Sequence, residues 1–180
     1  MNQRPIRNFV AGLCHPKRPQ RLPLRAVGEE WSVEYQASRQ PGVTLRQVGP
    51  GRLLIEGRIG SSSLCREALR RWLKAKARQV LVPQLHQLAR QHGFQFARVQ
   101  IRCQKTRWGS CSTRGTISLN LKLLFLPPAL VEHVLIHELC HTVHMNHSQA
   151  FWNLVSRCDP HMKENRAAMK QALNYVPAWL

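Results

Sequence analysis

His137-Glu138-Leu139-Cys140-His141 is the stretch that most restricts what this chain can fold into. On an α-helix, residues four apart project from one face, so the imidazoles of His137 and His141 can reach a single metal ion. Glu138 lies at the edge of that face, where a carboxylate can meet a water held by the same ion. The flanking Leu130, Val131, Val134, Leu135, Ile136 and Leu139 make the helix apolar nearly all round, the mark of a buried helix. Two imidazoles and a carboxylate in such surroundings are costly unless a metal or polar partners satisfy them. Zn²⁺ suits imidazole nitrogens, and a catalytic zinc site keeps one position open. The chain must therefore wrap a central metal-bearing helix in other elements and leave one side of it accessible.

The third ligand has to come from beyond the motif. His147 follows His141 by six residues, and a straight helix would carry it about 240° around the axis, away from the ion. The helix is expected to end near His144 or Met145, with Asn146 making the break in a left-handed conformation or as the N-cap of a second helix. That short helix would bring Phe151, Trp152 and Val155 into the core and present His147 from its first turn. The three-histidine spacing is that of the metzincins, although His144 stands where they have a glycine. Glu164 is an alternative third ligand and Asp159 a weaker one. His133 and His144 share the face of the ligands and either support them or are satisfied locally.

At 180 residues and 43% apolar content, the chain is long enough for one globular domain with a proper core. No run of 18 apolar residues exists to cross a membrane, and Met1–Gly12 lacks the apolar run of a signal peptide, so a cytoplasmic location is expected. The six cysteines form no C-x-x-C pair and are read as reduced thiols. The net charge of +18 is unevenly spread. Residues 1–28 hold six Lys/Arg and no acid, and residues 66–122 hold thirteen against Glu67 alone. Such an excess favours an anionic partner, a nucleotide or nucleic acid, although the basic residues lack the interleaved aromatics that stack on bases.

The pattern along the chain is that of an α+β fold. Residues 1–28, with four prolines, read as a basic Pro/Arg-rich and partly disordered extension, and residues 29–180 as a single domain. Alternation over 31–38, 43–48 and 52–59, separated by Pro41-Gly42 and Pro50-Gly51, predicts a small antiparallel meander. A long helix follows over 64–92, N-capped by Ser63, kinked or divided at Pro83 and ended by Gly93. Its basic stripe, Arg66, Arg70, Lys74 and Arg78, is read as a solvated face. Short strands over 94–103 and 117–121 then deliver the chain to the metal helix, which Pro127-Pro128 opens, and C-terminal helices complete the fold.

Several segments together carry a family likeness. Thr106-Arg107-Trp108-Gly109-Ser110-Cys111-Ser112, Ile117-Ser118-Leu119-Asn120, the H-E-L-C-H stretch, Asn146-His147-Ser148 and Phe151-Trp152 resemble, in this order, the YgjP-like metallopeptidase family, which is related to the SprT-like and WLM zinc peptidases. The resemblance implies a zincin-type metal helix, Zn²⁺ held by His137, His141 and His147, and Glu138 as catalytic base. It also implies that the Trp108 segment shapes the cleft beside the metal. A second electrophile is expected from among Arg107, His161 and Tyr175. The expected function is a zinc metallopeptidase acting on a peptide or protein. Two alternatives are a metal-dependent hydrolase of phosphate-bearing substrates such as nucleotides, and a peptidase acting on nucleic-acid-associated proteins.

Overall fold

A computed structural model describes residues 18–180. It is an α+β structure of two small sheets bridged by one long helix. The first sheet has four strands: β1 (Arg21–Leu24), β2 (Glu29–Ala37), β3 (Val43–Gly49) and β4 (Arg52–Gly57). The long helix α1 (Ser62–His92) leads to a second sheet of β5 (Arg98–Arg102), β6 (Gly109–Cys111) and β7 (Thr116–Asn120). A 3₁₀ turn over Leu121–Phe125 enters α2 (Pro128–Cys140), and α3 (Gln149–Cys158), α4 (Met162–Ala168) and a final 3₁₀ segment, Met169–Tyr175, close the chain. No helix among the described residues is long and apolar enough to cross a membrane.

Structure begins before residue 29. Leu22 and Leu24 are fully buried in β1, which pairs antiparallel with β2. The prolines of this stretch, Pro23 among them, its arginines and its weak periodicity predict an irregular segment. Yet β1 is the edge strand of its sheet, where a missing N–H removes no bond from the ladder. The remainder of the expected extension, residues 1–17, lies outside the described residues.

The strand pairing is mixed and not a simple antiparallel meander. The order is β1-β2-β4-β3, with β2 parallel and β3 antiparallel to β4. Residues 38–42 therefore cross over the end of β4, which slots between its two predecessors. Gly57 allows the crossing: its φ is +118°, and a Cβ there would overlap the carbonyl oxygen of Gly42. The second sheet repeats the plan in the order β5-β7-β6, with β5 parallel and β6 antiparallel to the central β7. Linear patterning shows which residues are strands but not which strand sits in the middle.

The long helix is one continuous element. Ser61, not Ser63, caps it, its Oγ accepting from the Leu64 N–H at 3.4 Å. Pro83 does not divide it, because Pro83 and Gln79, whose carbonyl loses its helical partner, both face solvent. Gly93 ends it in the left-handed conformation, as expected. Leu69, Leu73, Ala77, Leu81 and Leu85 form its buried stripe, and α1 packs on β3, β5 and α2. A T-shaped Trp31–Trp72 pair at 4.9 Å and the Lys76–Glu29 ion pair at 2.7 Å tie it to the first sheet. Arg70, Lys74 and Arg78 of the basic stripe are exposed.

Gly57→Ala tests the crossing. Left-handed strain and the overlap with Gly42 should lower unfolding free energy in denaturant melts by about 2 kcal/mol or more. Gly60→Ala, where an added Cβ meets nothing within 4 Å, should change it by less than about 0.5 kcal/mol.

Candidate active site

The metal helix is opened by Pro128 at its first turn and ends at Cys140, with His141 as its helical C-cap. Hydrogen bonding continues one turn further, through His141 N–H to the His137 carbonyl at 3.3 Å and His144 N–H to the Cys140 carbonyl at 3.0 Å. The chain then breaks, as expected, but Asn146 is neither left-handed nor the cap. No described non-glycine residue has positive φ. Ser148 caps α3 instead, its Oγ accepting from the Phe151 N–H at 3.4 Å. His147 sits immediately before that cap and returns to the metal helix.

Three imidazoles converge there. His137 Nε2 lies 3.2 Å from His141 Nε2 and 3.1 Å from His147 Nε2. Zinc–nitrogen bonds of ~2.0–2.1 Å in a tetrahedron place nitrogens roughly 3.3–3.4 Å apart, close to these spacings. His141 donates its Nδ1–H to the His144 carbonyl at 3.0 Å, which leaves its Nε2 lone pair for the ion. Thus His144 contributes through its backbone. Phe151, fully buried, stacks on His141 at 4.5 Å, and Trp152 stacks on His147 at 5.5 Å. These two aromatics set the angles of the rings. Among the described residues the three histidines form the group able to hold a metal, and Glu164 and Asp159 do not join them.

Asp159 has a different task. It is buried, and its Oδ2 accepts from Nδ1 of buried His133 at 2.6 Å, while Asn165 and the His161 backbone N–H also donate to it. That knot joins α2 to the entrance of α4 and fixes the His133 ring along the cleft.

Glu138 is 5% exposed, and its Oε2 has no hydrogen-bond partner. Burial pushes its carboxyl up to about 8, against the opposing pull of Arg107. It fits because Gly109 of β6 has no side chain: a Cβ there would stand 2.5 Å from Oε1 and 2.7 Å from Cδ of Glu138. Asn120 holds the preceding loop, its Nδ2 donating to the carbonyls of Gln104 at 2.9 Å and Arg107 at 2.7 Å. Gly109 and Asn120 stood in the sequence only as members of a motif, and spacing alone gave neither a role.

The cleft of about 340 Å³ beside Glu138 is walled by Arg107, Trp108 and Gly109 on one side and by His133, Val134 and His137 on the other. Arg107 and Trp108 line this cleft, and His161 and Tyr175 do not: His161 is exposed at the start of α4, and Tyr175 packs under the Arg25 guanidinium at 5.4 Å. Arg166 and Met169 reach the cleft instead, with the Arg166 guanidinium 4.2 Å above the Trp152 ring. Their signal was the spacing Met162, Arg166, Met169, which is one face of a helix.

The YgjP-like metallopeptidase domain matches residues 14–172 of the chain. The protein belongs to that family. It is accordingly a metal-dependent peptidase, with a three-histidine group able to bind the ion. Among solved structures, the metallopeptidase zymogen abylysin of Pyrococcus abyssi is similar at 29% identity and a TM-score of 0.48, over 52% of this chain and 95% of that one. No curated protein matches.

Protonation of this YgjP-like site yields a test. Burial and the neighbouring imidazoles hold His137 down at about 3, and burial also lowers His141, so both are neutral at pH 7. Glu138 in the metal-free protein then keeps its proton. Uptake of a divalent ion should release roughly one proton, measured by calorimetry in buffers of differing ionisation enthalpy. Glu138→Gln should abolish most of that release; undiminished release would place the protons on the histidines. The raised carboxyl also favours folding of the metal-free protein at low pH, a contribution lost as pH rises from 4.5 towards about 8.

Proposed function

We propose that the chain is a zinc-dependent peptidase in which His137, His141 and His147 hold the ion and Glu138 is the general base. One observation carries this reading: three imidazoles, with ligand nitrogens within 4.8 Å of one another and His137 Nε2 3.1–3.2 Å from the other two, stand beside a buried carboxyl group with an unpartnered oxygen. When bound, Zn²⁺ supplies a Lewis acid that acidifies water and offsets charge on the carbonyl oxygen. Glu138 accepts a proton from water at Oε2 and returns it to the leaving amine. Arg107, on the cleft wall, is the cationic group that can meet the carbonyl under attack. Trp108, facing the cleft from the same loop, shields it from bulk water.

The substrate is read as an extended polypeptide. β6 is an edge strand of its sheet, and its first residue, Gly109, touches Glu138. A peptide that pairs along such an edge brings its backbone carbonyl to the carboxylate without demanding a particular side chain. The walls supplied by Trp108, Val134, Trp152 and Met169 favour a polypeptide over a nucleotide in the cleft.

In a casein or fluorogenic-peptide assay, Glu138→Gln should lower turnover by about 10²–10⁴-fold while metal analysis still finds the ion. Full activity in that variant would remove the proposed base. His147→Ala should instead lose the ion on dialysis. Gly109→Ala should resemble Glu138→Gln, since its Cβ displaces the carboxylate and leaves the imidazoles untouched.

A further inference from the structure

The outward face of the second sheet takes no part in the chemistry above. Alternation along β5 and β7 turns Val99, Ile101, Ile117 and Leu119 to the core and leaves Arg98, Arg102, Thr116 and Ser118 on the other side. With Arg107 and Arg114, these outward residues line a shallow concavity of about 430 Å³. No Asp or Glu occurs between Glu67 and Glu132. Among the described residues none of the four arginines is in an ion pair.

Neutral neighbours orient two of the guanidinium groups without cancelling their charge. Arg98 Nε donates to Thr116 Oγ1 at 3.2 Å, and Arg102 Nη2 donates to Gln100 Oε1 at 2.7 Å. Between them the floor is made of small hydroxyls, Ser110 and Ser118, which are cross-strand partners. Arginines held in this way are poised for carboxylates. No aromatic side chain lines the concavity, so it lacks the platform on which unpaired bases stack. Arg107 belongs to both this concavity and the cleft. A chain held in the cleft and continuing across β6 therefore comes directly onto the arginines.

We propose that this face is an exosite for an acidic segment of the polypeptide substrate, so that the enzyme cuts beside clusters of Asp and Glu. The proposal rests on the peptidase reading, and two separate measurements keep them distinguishable. The first is binding, by fluorescence anisotropy, of labelled peptides to full-length Glu138→Gln protein loaded with zinc. The peptides share one core and end in four Glu or four Gln. The Glu peptide should bind at least about tenfold more tightly at low salt, and the difference should vanish in 0.5 M salt, where the screening length falls to about 4 Å. It should also vanish in Arg98→Gln/Arg102→Gln/Arg114→Gln, which spares Arg107 and the cleft and whose fold is checked by its thermal midpoint. Equal binding of the two peptides overturns the exosite. So does a mixed-sequence DNA duplex that binds through these three arginines while the peptides do not differ, which would assign the face to nucleic acid. The second measurement is cleavage by the protein with Glu138 intact. Cleavage of the Gln peptide by wild type and the triple variant alike, with the Glu peptide favoured only by wild type, is the expected result. Absence of any cleavage removes the peptidase reading, whereas binding alone decides the surface.

Discussion

The architecture around the cleft depends on burying one carboxylate with an oxygen left unpaired. Leaving a polar atom buried without a partner costs of order 1–3 kcal/mol, and more when the group is charged, so the arrangement persists only where surrounding structure over-determines it. Three separate contacts do so here. The buried face of α2 fixes the Glu138 backbone, Gly109 gives the side chain its space, and the Asn120 amide holds the loop that carries Gly109 forward. Each comes from a different part of the chain. The second sheet with its linkers is thus a device for setting a glycine against a glutamate.

The same logic explains why polar residues fix the loops near the site. A segment outside a helix or ladder has free backbone groups, and apolar packing cannot satisfy them. Asn120 takes two carbonyls of the 104–108 loop, Ser148 takes an N–H at the start of α3, and Asp159 gathers a ring, a backbone N–H and a side-chain amide at the start of α4. Asp159 and His133 are more useful in this role than as ligands. A carboxylate already engaged by three donors has little left to offer an ion.

How far the sequence disclosed this depends on the range of each interaction. The four-residue spacing in α2, the need for a break before His147, the Gly93 cap and the strands β2, β3, β4, β5 and β7 are local, and they stand in the structure near where the pattern indicates, whereas β1 and the three-residue β6 carry no such pattern. What was not legible was set by contacts between distant residues. The mixed pairing turns on Gly57 meeting Gly42 through a crossing chain. The place of β1 turns on Pro23 occupying an edge, which sheet order decides. His161 and Tyr175 do not line the cleft, because His161 stands exposed at the N-terminus of α4 and Tyr175 ends the last 3₁₀ segment against Arg25, placements that no spacing expresses. Arg166 and Met169 had a helical spacing to recommend them but no partner in the sequence to show which surface that face would meet.

Charge follows the same division between the two sheets. On the first, Glu30, Glu34 and Glu56 each meet an arginine, in exposed or half-exposed pairs of the kind that contribute little to stability. Their consequence lies in the field: the first sheet presents balanced charge, while the second presents arginines that no acid offsets. Since β6 belongs to the second sheet and borders the cleft, the imbalance lies directly beside that cleft. Solubility alone would be served as well by spreading the same arginines over α1 and the first sheet. Concentrated beside the cleft, they generate a local potential that acts on whatever approaches, and steering of that kind raises encounter rates even where individual contacts are weak.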